Sequence, residues 1–146
     1  MHGQTGLIIK PTDTRLTSKA YADLTGFDTA TAFTVTGVVE VLVYAVVGAT
    51  AIQSTSGTTT LEVGVSGSTA LLIAQTTIDN SDFGANTVWI DNNPDVTYKA
   101  KPTTKYILGN GNDIVLTRSA DDITQGTLTI YVEWIPKSSD GNVVAA

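Results

Sequence analysis

The sequence predicts an all-β protein: an antiparallel β-sandwich, jelly-roll or tulip-like barrel of about eight to ten short strands, preceded by an N-terminal arm. Composition is the first reason. Thr, Val, Gly, Ala and Asp dominate, eleven Asp outnumber three Glu, and the helix formers Glu, Lys, Arg and Met are scarce. Such usage favours pleated strands and the turns between them. The second reason is residues 58–77, TTTLEVGVSGSTALLIAQTT, where Leu61, Val63 and Val65 alternate with Thr60, Glu62 and Gly64 before a turn near Ser66-Gly67-Ser68 and a second apolar run. That is a strand, a tight turn and a strand, with the three apolar residues expected in the core and Glu62 exposed or at a subunit boundary. Third, turn residues recur at short intervals with no strand–helix alternation, which argues against a parallel α/β fold.

A chain of 146 residues makes one domain, and folding at this size removes roughly 68–70% of the unfolded surface from water. The expected organisation is an N-terminal arm or short strand/helix region over residues 1–30, a sandwich over 31–138 and a flexible tail over 139–146. Within the arm, residues 6–10 (GLIIK) suit a short strand stopped by Pro11, which has no N–H to give a ladder. Residues 17–25 (TSKAYADLT) suit a short helix capped by Thr17 or Ser18, or a surface arm.

From Phe33 the period is two. Thr34, Val35 and Thr36 lead to Gly37; then Val39, Val41, Val43, Ala45 and Val47 share one face, and Val38, Glu40, Leu42, Tyr44 and Val46 the other. Both faces are mostly apolar, so this strand should be covered on both sides, one of them by assembly. Residues 49–53 suit a partner strand and 54–57 a turn. After the hairpin, residues 79–85 (DNSDFGA) are turn chemistry, 87–90 (TVWI) a short strand, and 91–95 (DNNPD) another turn. Residues 96–101 and 105–108 are brief strands separated by Pro102, and the Asn110-Gly111 pair turns the chain into a strand over 113–117. A loop over 119–126 precedes the clearest strand, where Leu128, Ile130, Val132 and Trp134 alternate with Thr127, Thr129, Tyr131 and Glu133 until Pro136 ends it.

The same residues exclude most chemistry. There is no Cys, and His2 is the one histidine, so thiolate catalysis, Cys/His zinc sites and a conventional Ser-His-Asp triad have no residues to use. A net charge of -6 opposes binding to nucleic acid. The most apolar run, residues 38–47, is short and contains Glu40, so no helix there would span a membrane. The start of the chain lacks a basic region followed by a long apolar one, so no secretory signal is expected.

The oxygen-rich turns at 91–95 and 110–113 lack EF-hand spacing and read as turns rather than calcium sites. Gly109 and Gly111 form a GxG without the third glycine or the helix that a dinucleotide needs. Glu40, Glu62 and Glu133 have no companion motif for glycoside hydrolysis. Of the aromatic residues, Trp134 belongs to a core face, while Trp89, Tyr98 and Tyr131 are candidates for a stacking platform or an interface. Lys99, Lys101 and Lys105 either guard sheet edges or contact an acidic neighbour. No catalytic residue, cofactor or metal is expected. The expected assembly surface comprises Val38, Glu40, Leu42, Tyr44, Tyr131 and Glu133.

Residues 58–77 as quoted, VWIDNNPD at 88–95, GNDIVLT at 111–117 and ITQGTLTIYVEWIPKS at 123–138 together resemble a widespread group of small tailed-phage virion proteins, over about residues 33–138. The resemblance implies a β-rich head decoration or cement protein, bound outside a capsid shell and stabilising it, commonly as a trimer. It implies the major capsid protein and the chain's own copies as partners, with assembly in the host cytoplasm and residence on the virion. A tail or baseplate component, or a carbohydrate-binding sandwich using Tyr131 or Trp89, are the alternatives.

Overall fold

The computed structural model describes residues 13–26, 28–78, 83–94, 98–120 and 122–146. The strand expected at residues 6–10 lies outside them, as do parts of the segments at 79–85, 91–95, 96–101 and 119–126. Two antiparallel sheets face each other. The first runs β1 (Arg15–Tyr21), β11 (Leu128–Pro136), β3 (Val39–Val47), with β7 (Val88–Trp89) and β8 (Tyr106–Leu108) both along the far edge of β3. The second runs β12 (Asn142–Ala145), β2 (Thr29–Thr36), β9 (Ile114–Arg118), β5 (Thr60–Val65), β6 (Ser68–Thr77). A small ribbon pairs β4 (Gln53–Ser54) with β10 (Ile123–Gln125). The fold is thus all-β and antiparallel, as the alternation predicts, and it is an open sandwich rather than a closed barrel.

The period of two places the core. Val39, Val41, Val43, Ala45 and Val47 from β3 and Leu128, Ile130, Val132 and Trp134 from β11 point inward from the first sheet; Phe33, Val35, Leu61, Val63, Ile73, Ile114 and Leu116 meet them from the second. Burying each such large apolar side chain contributes about 1.5–3 kcal/mol, which is why the register of β3 against β11, Val47 opposite Leu128 through Val39 opposite Pro136, cannot slip by one residue. The Asn110-Gly111 turn has positive φ at both residues, 54° and 67°, and is closed by the Asn112 N–H on the Gly109 carbonyl at 3.2 Å. It carries the chain from β8 in one sheet to β9 in the other.

Several expectations are corrected. Residues 17–25 form neither helix nor free arm: Arg15–Tyr21 is strand β1, paired along its whole length with β11. The open edge of β11 supplies ladder partners, and the alternation of Leu16, Ser18 and Ala20 fits it. The tail over 139–146 is likewise not loose, because Asn142–Ala145 is strand β12 on the edge of β2, with Val143 buried opposite Val35. The Thr17 hydroxyl donates to the Val143 carbonyl at 3.2 Å and so ties the two sheets at this edge. Only Gln53–Ser54 of the expected 49–53 region is strand, and residues 98–101 are not strand. With these additions and the two-residue strands, the described residues hold twelve strands rather than eight to ten.

Glu62 is also corrected. Its neighbours Leu61, Val63 and Val65 are buried as expected, yet Glu62 is buried too, at 8% exposure. Register shifts between β5 and β6 bring Thr69 and Gln75 to its carboxylate, where the Thr69 hydroxyl donates at 2.6 Å and the Gln75 amide at 3.1 Å. A buried carboxylate is tolerated when its oxygens are hydrogen-bonded in this way.

Candidate assembly face

With alternate residues of β3 and β11 committed to the core, the others emerge together on the outward side of the first sheet. The register sets them in rows: Ile135, Glu40 and Ile107; Leu16, Glu133 and Leu42; Ser18, Tyr131 and Tyr44; then Ala20, Thr129, Val46 and Val88. Five of the six expected assembly residues lie in these rows, and Val38 immediately precedes β3, its carbonyl accepting from Lys137 N at 2.8 Å and Ser138 N at 3.3 Å. One side of one sheet therefore brings five of the six together, with Val38 at its end. Leu42 is mostly covered already, at 7% exposure, so its contribution to exposed surface is small.

Tyr44 and Tyr131 are opposite each other and stack, with ring centroids 5.3 Å apart and planes at 16°. Beside them, Lys101 Nζ lies 2.5 Å from a Glu133 carboxylate oxygen and 5.9 Å from the Tyr44 ring centroid. Glu40 is flanked by Lys105 at 3.9 Å and Lys137 at 3.6 Å. Pairs this exposed contribute only about 0.2–1 kcal/mol each to stability. Their larger effect is on the surface itself: both carboxylates are neutralised in place, which lowers the charge that a partner must desolvate.

Burial raises the Tyr44 hydroxyl above its usual pKa, and the charge of Glu133 and the hydrogen bond to it add to the rise. The hydrogen bond to Glu133 raises Lys101 in turn.

Two residues that sequence reasoning did not assign to the face complete it. Leu16 on β1 is 61% exposed and Ile107 on β8 is 66% exposed. Leu16 was hidden by the expectation of a helix or arm, and Ile107 by the shortness of its strand; the alternation in TRLTSKAY was the available signal for the first. Together with Tyr44, Val46, Tyr131 and Ile135 they form an apolar surface edged by lysines.

The other candidates resolve into structure. Trp89 is fully buried, its indole N–H donating to Thr76 Oγ1 at 2.8 Å and its ring edge-on to Phe83 at 5.3 Å, so it offers no face to a sugar. Trp134 is buried and donates to Thr17 Oγ1 at 3.0 Å. Tyr98 is 82% exposed and stands outside the strands. In the 91–95 turn, Asp91 accepts from Asn93 N at 2.9 Å and pairs with Lys99 at 3.2 Å. In the 110–113 turn, Asp113 accepts from Val35 N at 2.9 Å. The Asp91 and Asp113 carboxylates are thus engaged within the chain. Among the described residues, no three His, Cys, Asp or Glu side chains gather to hold a metal, and no helix is long and apolar enough to cross a membrane.

No family model, no curated protein and no solved structure matches this chain.

Proposed function

We propose that this protein is a non-enzymatic structural component of a phage virion, a trimeric decoration or cement protein that binds the major capsid protein on the outside of the shell and stabilises it. The observation that carries the reading is the outward side of the first sheet: Leu16, Ile107, Tyr44, Val46, Tyr131 and Ile135 in contiguous rows, with Glu40 and Glu133 held by lysines. A contiguous apolar surface on a folded chain marks an interaction site, and paired charges around it suit a contact that closes and excludes water. The resemblance of residues 33–138 to small virion proteins supplies the identity of the assembly.

The test has two parts. Light scattering at micromolar concentration should give a trimer mass, and the protein should co-sediment with expanded capsids. A monomer that leaves capsids bare would sink the reading, and gold labelling of virions at the tail instead of the head would transfer it to a tail or baseplate role.

A further inference from the structure

A groove of about 270 Å³ opens beside Tyr44, lined by Tyr44, Val46, Val88, Ile90, Lys99, Lys101 and their immediate neighbours Ala100 and Pro102. Among the described residues its lining is apolar except for the two lysines and the Tyr44 hydroxyl, and no acidic side chain lines it. The volume is below the roughly 300–1,000 Å³ of small-molecule sites and suits one large side chain. Lys101 keeps more than half of its side-chain surface exposed while bridging to Glu133, and an ammonium has donors left after one ion pair.

Charge distribution points the same way. Among the described residues, Lys99, Lys101, Lys105 and Lys137 meet Asp91, Glu40 and Glu133 in ion pairs on and beside this face. Among the described residues, four lysines are thus set against three acids here, on a chain whose net charge is -6. This face is where an acidic polypeptide approaches without repulsion, and a basic one gains least from it.

We infer that the groove is the anchor pocket of the assembly face and that it takes an aromatic side chain presented by an acidic extended segment of the partner. The ring packs on Tyr44, Val46 and Ile90, and a carboxylate beside it reaches Lys101, the exposed one of the two lysines, while Lys99 stays held by Asp91. Interfaces concentrate their binding energy in such desolvated anchor sites, and the flanking charges set which partners are accepted. The inference rests on the reading of this face as the assembly surface, and it adds the chemistry of the partner.

The test is an NMR titration of the full chain with two acetylated, amidated tripeptides, Asp-Trp-Asp and Lys-Trp-Lys. The acidic peptide should shift the resonances of Tyr44, Val46, Val88 and Ile90 saturably, and the basic one should bind at least about tenfold more weakly. Lys101→Glu should reverse that order, and Val46→Glu should abolish binding of both while leaving the amide spectrum of the core unchanged. Absence of saturable shifts at the groove, or equal binding of the two peptides, overturns the inference. Co-sedimentation with capsids separates it from the wider reading: if Leu16→Asp with Ile107→Asp blocks capsid binding while the acidic peptide fails to bind, the assembly face stands and the anchor pocket falls.

Discussion

Replacing Trp89 by phenylalanine tests whether this tryptophan is structural or a ligand platform. The side chain is fully buried, donates to Thr76 Oγ1 at 2.8 Å and meets Phe83 edge-on. Trp89→Phe keeps a ring near Phe83 but removes the N–H and part of the ring volume. The lost hydrogen bond costs about 0.5–1.5 kcal/mol net, and an unfilled part-ring adds about 1–2 kcal/mol as a cavity. A total of about 1.5–3.5 kcal/mol corresponds to a fall in Tm of about 3–14 °C at this chain length. Thr76→Val should also destabilise, by about 1–3 kcal/mol, since it strands the buried indole donor. The double variant should cost less than the two singles together by about 1 kcal/mol, because the interaction is lost only once. Urea and thermal denaturation followed by circular dichroism give all four corners of this cycle. Strict additivity, or a Trp89→Phe protein as stable as its parent, would refute the buried hydrogen bond and reopen Trp89 as a binding residue.

Gly64→Ala should destabilise by about 1–3 kcal/mol in the same assay, because an added Cβ meets the Ser68 carbonyl and Thr69 backbone rather than a movable side chain. The acid limb of stability should involve Asp122, whose pKa is lowered below 3.8 by hydrogen bonds from Ser56 and Thr59. A lowered folded-state pKa means the contribution is present above the ordinary carboxylate value and lost as pH falls through the folded one, so Asp122→Asn should flatten the pH dependence below about 4 in equilibrium unfolding. The alkaline limb has the opposite sign: Tyr44 and Lys101 are raised, so their contributions are complete below their ordinary values and lost as pH rises above about 10. Absorbance titration should then find tyrosines ionising later than free tyrosine, and Tyr44→Phe should remove one of these steps while leaving that of Tyr21, which burial also raises. Leu16→Ser and Ile107→Ser should change monomer stability by less than about 0.5 kcal/mol while weakening self-association and capsid binding; unchanged assembly would exclude both residues from the contact.

Legibility in the sequence followed the strength of the local period. In β3 and β11, nine residues each of alternating character identified the core side and, by difference, the residues that the structure gathers on the outward side. Glu40, Tyr44, Tyr131 and Glu133 were found for that reason. Leu16 and Ile107 were not, since β1 alternates weakly and β8 has three residues. The groove beside Tyr44 joins residues 44–46, 88–90 and 99–102, and no pattern within any one of these segments reports that they converge.

What the sequence determined by itself was the class of fold and the inward set of its best strands, because side-chain direction in a strand has a period of two and needs no distant information. Tertiary structure decided everything that depends on an edge or a second layer. The tail and residues 15–21 became strands because β2 and β11 had unpaired edges to offer. Glu62 became buried because the shifted register of β6 laid Thr69 and Gln75 over it. Backbone groups and carboxylates must be satisfied wherever they are buried, and the partners that satisfied these came from strands across a pairing register that local sequence does not encode.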